Sequence, residues 1–255
     1  MAFNRMFTTD NTTRFFKGLV FGRAGVGKTH SAKTLPNHPG VLIISAEGGL
    51  LPLRKENFEV WEIKTWRDLL SAQQLLLDPN YHNVQRPEQL KQPPLETIFI
   101  DSATELSKKC MEDVLRERDE VMLARNKKMN TIFEGQLTIE EWGVIKPRVD
   151  RMFRAFRDMP YNIIFTALEH DVKEEGTGLT KLGPLMYPQS MAEQVPGYFD
   201  EVFHASQAEN AEKQIIRWWD TIDDGRTMAK DRLGVFQRQI APDWVQVFNA
   251  IKGGL

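Results

Sequence analysis

Gly22-Arg23-Ala24-Gly25-Val26-Gly27-Lys28-Thr29 follows the pattern G-x-x-x-x-G-K-[ST]. Phe15 to Phe21, just before it, reads as a short apolar strand. Lys28 to Leu35, just after it, reads as a helix stopped at Pro36. Strand, glycine-rich loop and helix together form the context in which this pattern binds phosphate. Glycines let the backbone turn its N–H groups inward around an anion, and the helix N-terminus adds the positive end of its dipole. The expected cradle runs from Gly22 through His30: Gly22, Arg23, Ala24, Gly25, Val26, Gly27, Lys28, Thr29 and His30. Lys28 is expected to reach the β- and γ-phosphates, and the Thr29 hydroxyl to hold Mg²⁺.

Working outward, Val41-Leu42-Ile43-Ile44 is an all-apolar run between Pro39-Gly40 and Gly48-Gly49, as in a buried parallel strand. Ser45-Ala46-Glu47 follows it. Ligands collect at the carboxyl ends of parallel strands, so Glu47 is placed to orient and activate a water against the γ-phosphate. A solvated loop glutamate is the competing reading. Leu95 to Ser102 is a second apolar strand, ending in Asp101. Downstream of the glycine loop, that aspartate is expected to accept from the Mg²⁺ water shell or from the Thr29 hydroxyl, and Ser102 to cap the helix that follows. Tyr161 to Ala167 is a third buried strand, with Thr166, Glu169 and His170 at or just past its end. Thr166 is the first choice there for a group that reports the γ-phosphate.

The remaining pattern is coarser. Phe58 to Ile63 reads as a strand and Trp66 to Leu77 as an amphipathic helix. Asp78 to Pro94 reads as a surface loop. Residues 103–159 read as two long charged helices, broken near 125–135 by a locally basic stretch that could touch a phosphate backbone. Residues 171–188 suggest a hairpin or a loop ordered on binding. Met191 to Val195 suggests a short helix, 201–205 and 214–219 paired strands, and Asp243 to Ile251 a terminal helix. The polar residues 1–14 read as a flexible arm, leaving 15–255 as one domain.

Composition limits the function. With 255 residues, 41% hydrophobic and 27% charged, the chain is long enough for one α/β domain with a full core. A net charge of −2 supplies no global basic field, so any nucleic-acid surface must be local. The single cysteine, Cys110, excludes an intrachain disulfide and reads as an inert helical thiol. No apolar run is long enough to span a bilayer and none resembles a signal peptide, so a cytoplasmic protein is expected.

Together these residues resemble the ATPase core of the RecA superfamily, and more narrowly the phage-encoded, RecA-like AAA-type ATPases used in single-strand annealing and recombination. Gly22 to Thr29 matches Walker A, and Ile98 to Asp101 matches Walker B. Ala46-Glu47 matches the Ala-Glu pair that carries the catalytic glutamate. Ala229-Lys230-Asp231-Arg232-Leu233-Gly234 resembles the Lys-x-Arg segment that reaches a neighbouring subunit's γ-phosphate. The resemblance implies a mostly parallel sheet flanked by helices with an antiparallel C-terminal extension. It also implies a slow, DNA-stimulated ATPase using ATP and Mg²⁺, homo-oligomers with ATP at their interfaces, and Lys230 and Arg232 acting in trans. The implied partners are single-stranded DNA and a single-strand-binding protein. With the glycine loop so early, the N-terminal oligomerisation domain of full recombinases is expected to be missing, and no motif marks the DNA-binding loops. A nucleotide-dependent switch that partners a protein rather than DNA is the alternative. A small-molecule kinase fits Glu47 and the Lys230/Arg232 pair poorly.

Overall fold

Residues 15–78, 94–124, 137–173 and 178–253 are described in the computed structural model. The expected arm 1–14, most of the 78–94 loop and the basic stretch 125–135 lie outside them.

The apolar runs form the centre of the sheet. Strands β1 (Lys17–Gly22), β2 (Val41–Ser45) and β4 (Thr97–Asp101) are buried along their whole length, and β5 (Asn162–Ala167) along nearly all of it. β3 (Glu59–Glu62) is the half-exposed edge. The sheet order is β11-β9-β8-β1-β5-β4-β2-β3, with β10 paired to β8. β1, β2, β3, β4, β5 and the start of β8 (Glu201–Glu209) run parallel. β9 (Ile215–Asp220), β10 (Lys230–Asp231) and β11 (Gln239–Ile240) add the expected antiparallel extension. β5 lies between β1 and β4, so the strand entering the glycine loop and the strand ending in Asp101 are not neighbours.

Because side chains alternate along a strand, each central strand feeds two cores. Leu19, Phe21, Leu42, Ile44, Ile98, Ile100, Ile163 and Phe165 face α2 (Trp66–Leu77), α3 (Ala103–Ala124) and α4 (Ile139–Asp158). Val20, Ile43, Phe99 and Ile164 face the other way, toward α1 (Lys28–Ser31) and α5 (Trp244–Gly253). Capping boxes start two of the helices, Thr65 with Asp68 and Thr138 with Glu141. The charged faces of α3 and α4 meet through Arg148, which pairs with Asp113 at 3.3 Å and Glu117 at 2.8 Å. Cys110 is fully buried, and burial pushes its thiol up to about 12, so it is inert as expected.

Local chemistry shortened some expected elements. The helix after the glycine loop stays α-helical only to Ser31 and tightens into a 3₁₀ turn over Ala32–Thr34. Leu35 is extended, as a residue before proline prefers. In place of the short helix at 191–195 there are two 3₁₀ turns, Gln189–Met191 and Val195–Tyr198; Pro196 has no N–H to donate to Ala192, so one helix cannot run through both. The expected hairpin begins earlier, with β6 (Glu169–Lys173) pairing β7 (Thr180–Pro184).

Lys230 and Arg232 sit at the far end of the sheet from the glycine loop. β10 pairs with Val202 and Glu201 at the start of β8, whereas Gly22 pairs with Ala205 further along. The Lys230 ammonium donates to the carbonyls of Pro196 at 2.8 Å and Phe199 at 2.6 Å. Arg232 pairs with Asp200 at 3.0 Å.

Beneath this segment Glu201 is fully buried. Its Oε1 accepts the N–H groups of Arg232 and Leu233 at 3.2 Å, and its Oε2 has no partner among the described residues. Burial first, then nearby Asp231, pushes the carboxyl up to about 8. An unfolded glutamate titrates near about 4.3, so between those values the folded chain holds the extra proton. This contribution to stability is complete at acid pH and is lost as pH rises through about 8. Glu201→Gln is expected to flatten that decline. Urea midpoints taken from about pH 5 to about pH 9 should fall in the wild type by the equivalent of a few kcal/mol and stay nearly level in the variant. An unchanged slope in the variant would assign the effect elsewhere.

Candidate functional site

The site forms at the carboxyl ends of β1, β2, β4 and β5. Gly22 closes β1 against β8 so tightly that a Cβ there would lie 2.5 Å from the Ala205 carbonyl oxygen. Gly25 and Gly27 adopt φ of 83° and 97°, a left-handed conformation open to glycine. Gly27 is also the N-cap of α1 and offers no capping side chain. Backbone N–H groups therefore line the loop and point at whatever anion it holds.

Lys28 is buried, and its ammonium donates to the loop's own carbonyls, Gly22 at 2.8 Å and Arg23 at 2.7 Å. Burial lowers its pKa, while the charges of Asp101, Glu47 and Glu169 act in the opposite direction. Thr29 Oγ1 donates to Asp101 Oδ2 at 2.7 Å. Asp101 is nearly inaccessible, and its other oxygen accepts from Thr166 Oγ1 at 2.5 Å. Glu47 accepts from the Ser102 hydroxyl, which itself receives the Glu105 N–H at 3.4 Å as the cap of α3. Thus Lys28, Thr29, Glu47 and Asp101, from three separate strand ends, line one cavity of about 500 Å³ together with His30.

Thr166 is 0% exposed and lies behind Asp101, where it holds that carboxylate in place instead of lining the cavity. Arg23 contributes backbone to the loop, but its side chain turns away to Glu169 at 3.0 Å. Glu169 in turn meets His204 Nε2 at 2.7 Å. The Nε2 of His170 has no partner among the described residues. Lys230 and Arg232 do not join this cavity within the chain.

The donors suit a hard cation. A threonine hydroxyl and an aspartate carboxylate, hydrogen-bonded to each other, are oxygen ligands of the kind Mg²⁺ takes beside phosphate. Among the described residues no cluster of three or more His, Cys, Asp or Glu side chains could hold a metal alone. Any Mg²⁺ would therefore be shared with the phosphates and water.

Residues without a motif complete the cavity: Pro52, Leu168, Arg217 and Pro242. The signal for Arg217 needs the sheet pairing. It shares a strand face with Trp219, which is buried against α5, so it points to the α1 side.

This glycine loop, with the Asp101 strand one strand removed, defines a P-loop domain on a mostly parallel sheet. The AAA domain family matches residues 14–233, and the chain belongs to that family. No curated protein matches the sequence. Among solved structures the chain is similar to the flagellar accessory protein FlaH from Methanocaldococcus jannaschii. The identity is 10% and the TM-score 0.40, over 88% of this chain and 82% of that one. Among the described residues no helix is long and apolar enough to cross a membrane.

Proposed function

We propose that the chain binds and hydrolyses ATP with Mg²⁺, and that it does so as an oligomer acting on single-stranded DNA in annealing or strand pairing. The observation that carries the ATPase reading is the convergence of Lys28, Thr29, Asp101 and Glu47 on one cavity. The loop N–H groups and the Lys28 ammonium would exchange their internal partners for phosphate oxygens. Thr29 and Asp101 would hold Mg²⁺, which when bound neutralises charge on the β- and γ-phosphates. Glu47, fixed by Ser102, would orient the attacking water and take its proton. Thr166 keeps the Asp101 carboxylate aimed at Thr29.

The DNA part is supported by the resemblance and by one placement. The β6–β7 hairpin, which carries Lys173 and Lys181, starts two residues beyond the end of β5. A change at the phosphate end therefore has a short covalent path to it. In the oligomer, Arg232 is the group offered to a neighbour's γ-phosphate, and Lys230 fixes the strand that carries it.

The test is the ATPase rate with and without single-stranded DNA at several protein concentrations. The expected result is stimulation by DNA that rises cooperatively with protein, with DNA affinity falling steeply as salt increases. A low rate indifferent to DNA would favour the switch that partners a protein.

A further inference from the structure

Arg217 is the cationic side chain in the cavity that the P-loop chemistry leaves without a role. It lies on β9, two strands out from β1. A Cβ placed on Gly27 would come 3.2 Å from Arg217 Cδ and 3.5 Å from Nε, so the side chain lies directly over the N-cap of α1. Among the described residues its guanidinium makes no hydrogen bond or ion pair. Arg217 is exposed, so what marks it is its place at the mouth of this cavity. A guanidinium beside the Gly27 turn of the glycine loop, in the same cavity and with no acceptor of its own among the described residues, is complementary to a phosphate.

We infer that Arg217 binds the α-phosphate end of the nucleotide in cis. This rests on the nucleotide reading above and adds a polarity to it. Asp101 and Glu47 enter the cavity from β4 and β2, on one side of the glycine loop. Arg217 enters from β9, on the opposite side of β1. The γ-phosphate belongs beside the two carboxylates, where water and metal act. The phosphate chain then runs across Gly27 toward Arg217, and the nucleoside continues on that side, where Pro242, just past β11 and so beside β9, lines the cavity with a rigid apolar face.

The polarity makes the test selective. Mg-ATP and Mg-ADP share the α- and β-phosphates, so a contact at the α end serves both equally. Titration calorimetry of the full chain should show Arg217→Ala weakening ATP and ADP alike, by about tenfold each. Arg217→Lys should recover part of that loss. The thermal midpoint without nucleotide should match the wild type, because Arg217 has no protein partner to lose. Unchanged affinities in Arg217→Ala would overturn the inference. So would a loss confined to ATP, which would put the guanidinium at the γ end. If wild-type chain binds neither nucleotide, the nucleotide reading itself fails, and this inference with it.

Discussion

Glu47→Gln is expected to lower ATP turnover by about 10²–10⁴-fold while leaving ATP affinity nearly unchanged. Glutamine keeps the shape of the side chain and an oxygen that can still accept from Ser102, so the loop after β2 has no reason to move. What it loses is the ability to take a proton from water. In the proposed function the nucleotide is held elsewhere, by the glycine loop, Lys28 and the Thr29–Asp101 pair. A drop in rate without a drop in affinity is the signature of an interaction made only in the transition state. Phosphate release and equilibrium ATP binding, measured on the same preparation, check both halves. Hydrolysis at the wild-type rate would remove Glu47 from the mechanism.

Lys28→Ala is expected to act on binding first, with a loss of at least about 100-fold in ATP affinity and no measurable turnover. Lys28 is the buried cation inside the loop; burial lowers its pKa, and the charges of Asp101, Glu47 and Glu169 offset part of that. Its ammonium already sits on the Gly22 and Arg23 carbonyls, so it needs only to swing from backbone oxygens to phosphate oxygens. The same contacts predict a side effect. Removing the ammonium leaves two loop carbonyls without this donor and should cost about 1–2 kcal/mol of stability. Thermal unfolding of the variant without nucleotide separates that cost from the loss of binding. Normal ATP affinity in a folded Lys28→Ala protein would mean that the nucleotide sits elsewhere.

What the sequence revealed was what depends on short spacing. The glycine pattern, the apolar runs within β2, β4 and β5, and the acidic residue at or just past the end of each are each read from a few consecutive residues. They placed Lys28, Thr29, Glu47 and Asp101 in one cavity. Interactions set by pairing across the sheet were not legible. That β5 separates β1 from β4 puts Thr166 against Asp101, behind the cavity, and no local pattern contains that order. Lys230 reads as a basic finger in the chain, yet its ammonium is taken by the Pro196 and Phe199 carbonyls, which lie about 30 residues away in sequence. Arg217 has no motif at all. Its place over Gly27 follows only once β9 is paired to β8 and Trp219 is seen to face α5.

The most direct measurement is phosphate release from ATP by the wild-type chain as Mg²⁺ is titrated from zero, with Lys28→Ala alongside. The cavity described here predicts hydrolysis that is absent without Mg²⁺, rises to saturation as Mg²⁺ is added, and is abolished in the variant. Release that is equal with and without Mg²⁺, or equal in wild type and Lys28→Ala, would contradict the assignment of this cavity as the site of ATP hydrolysis.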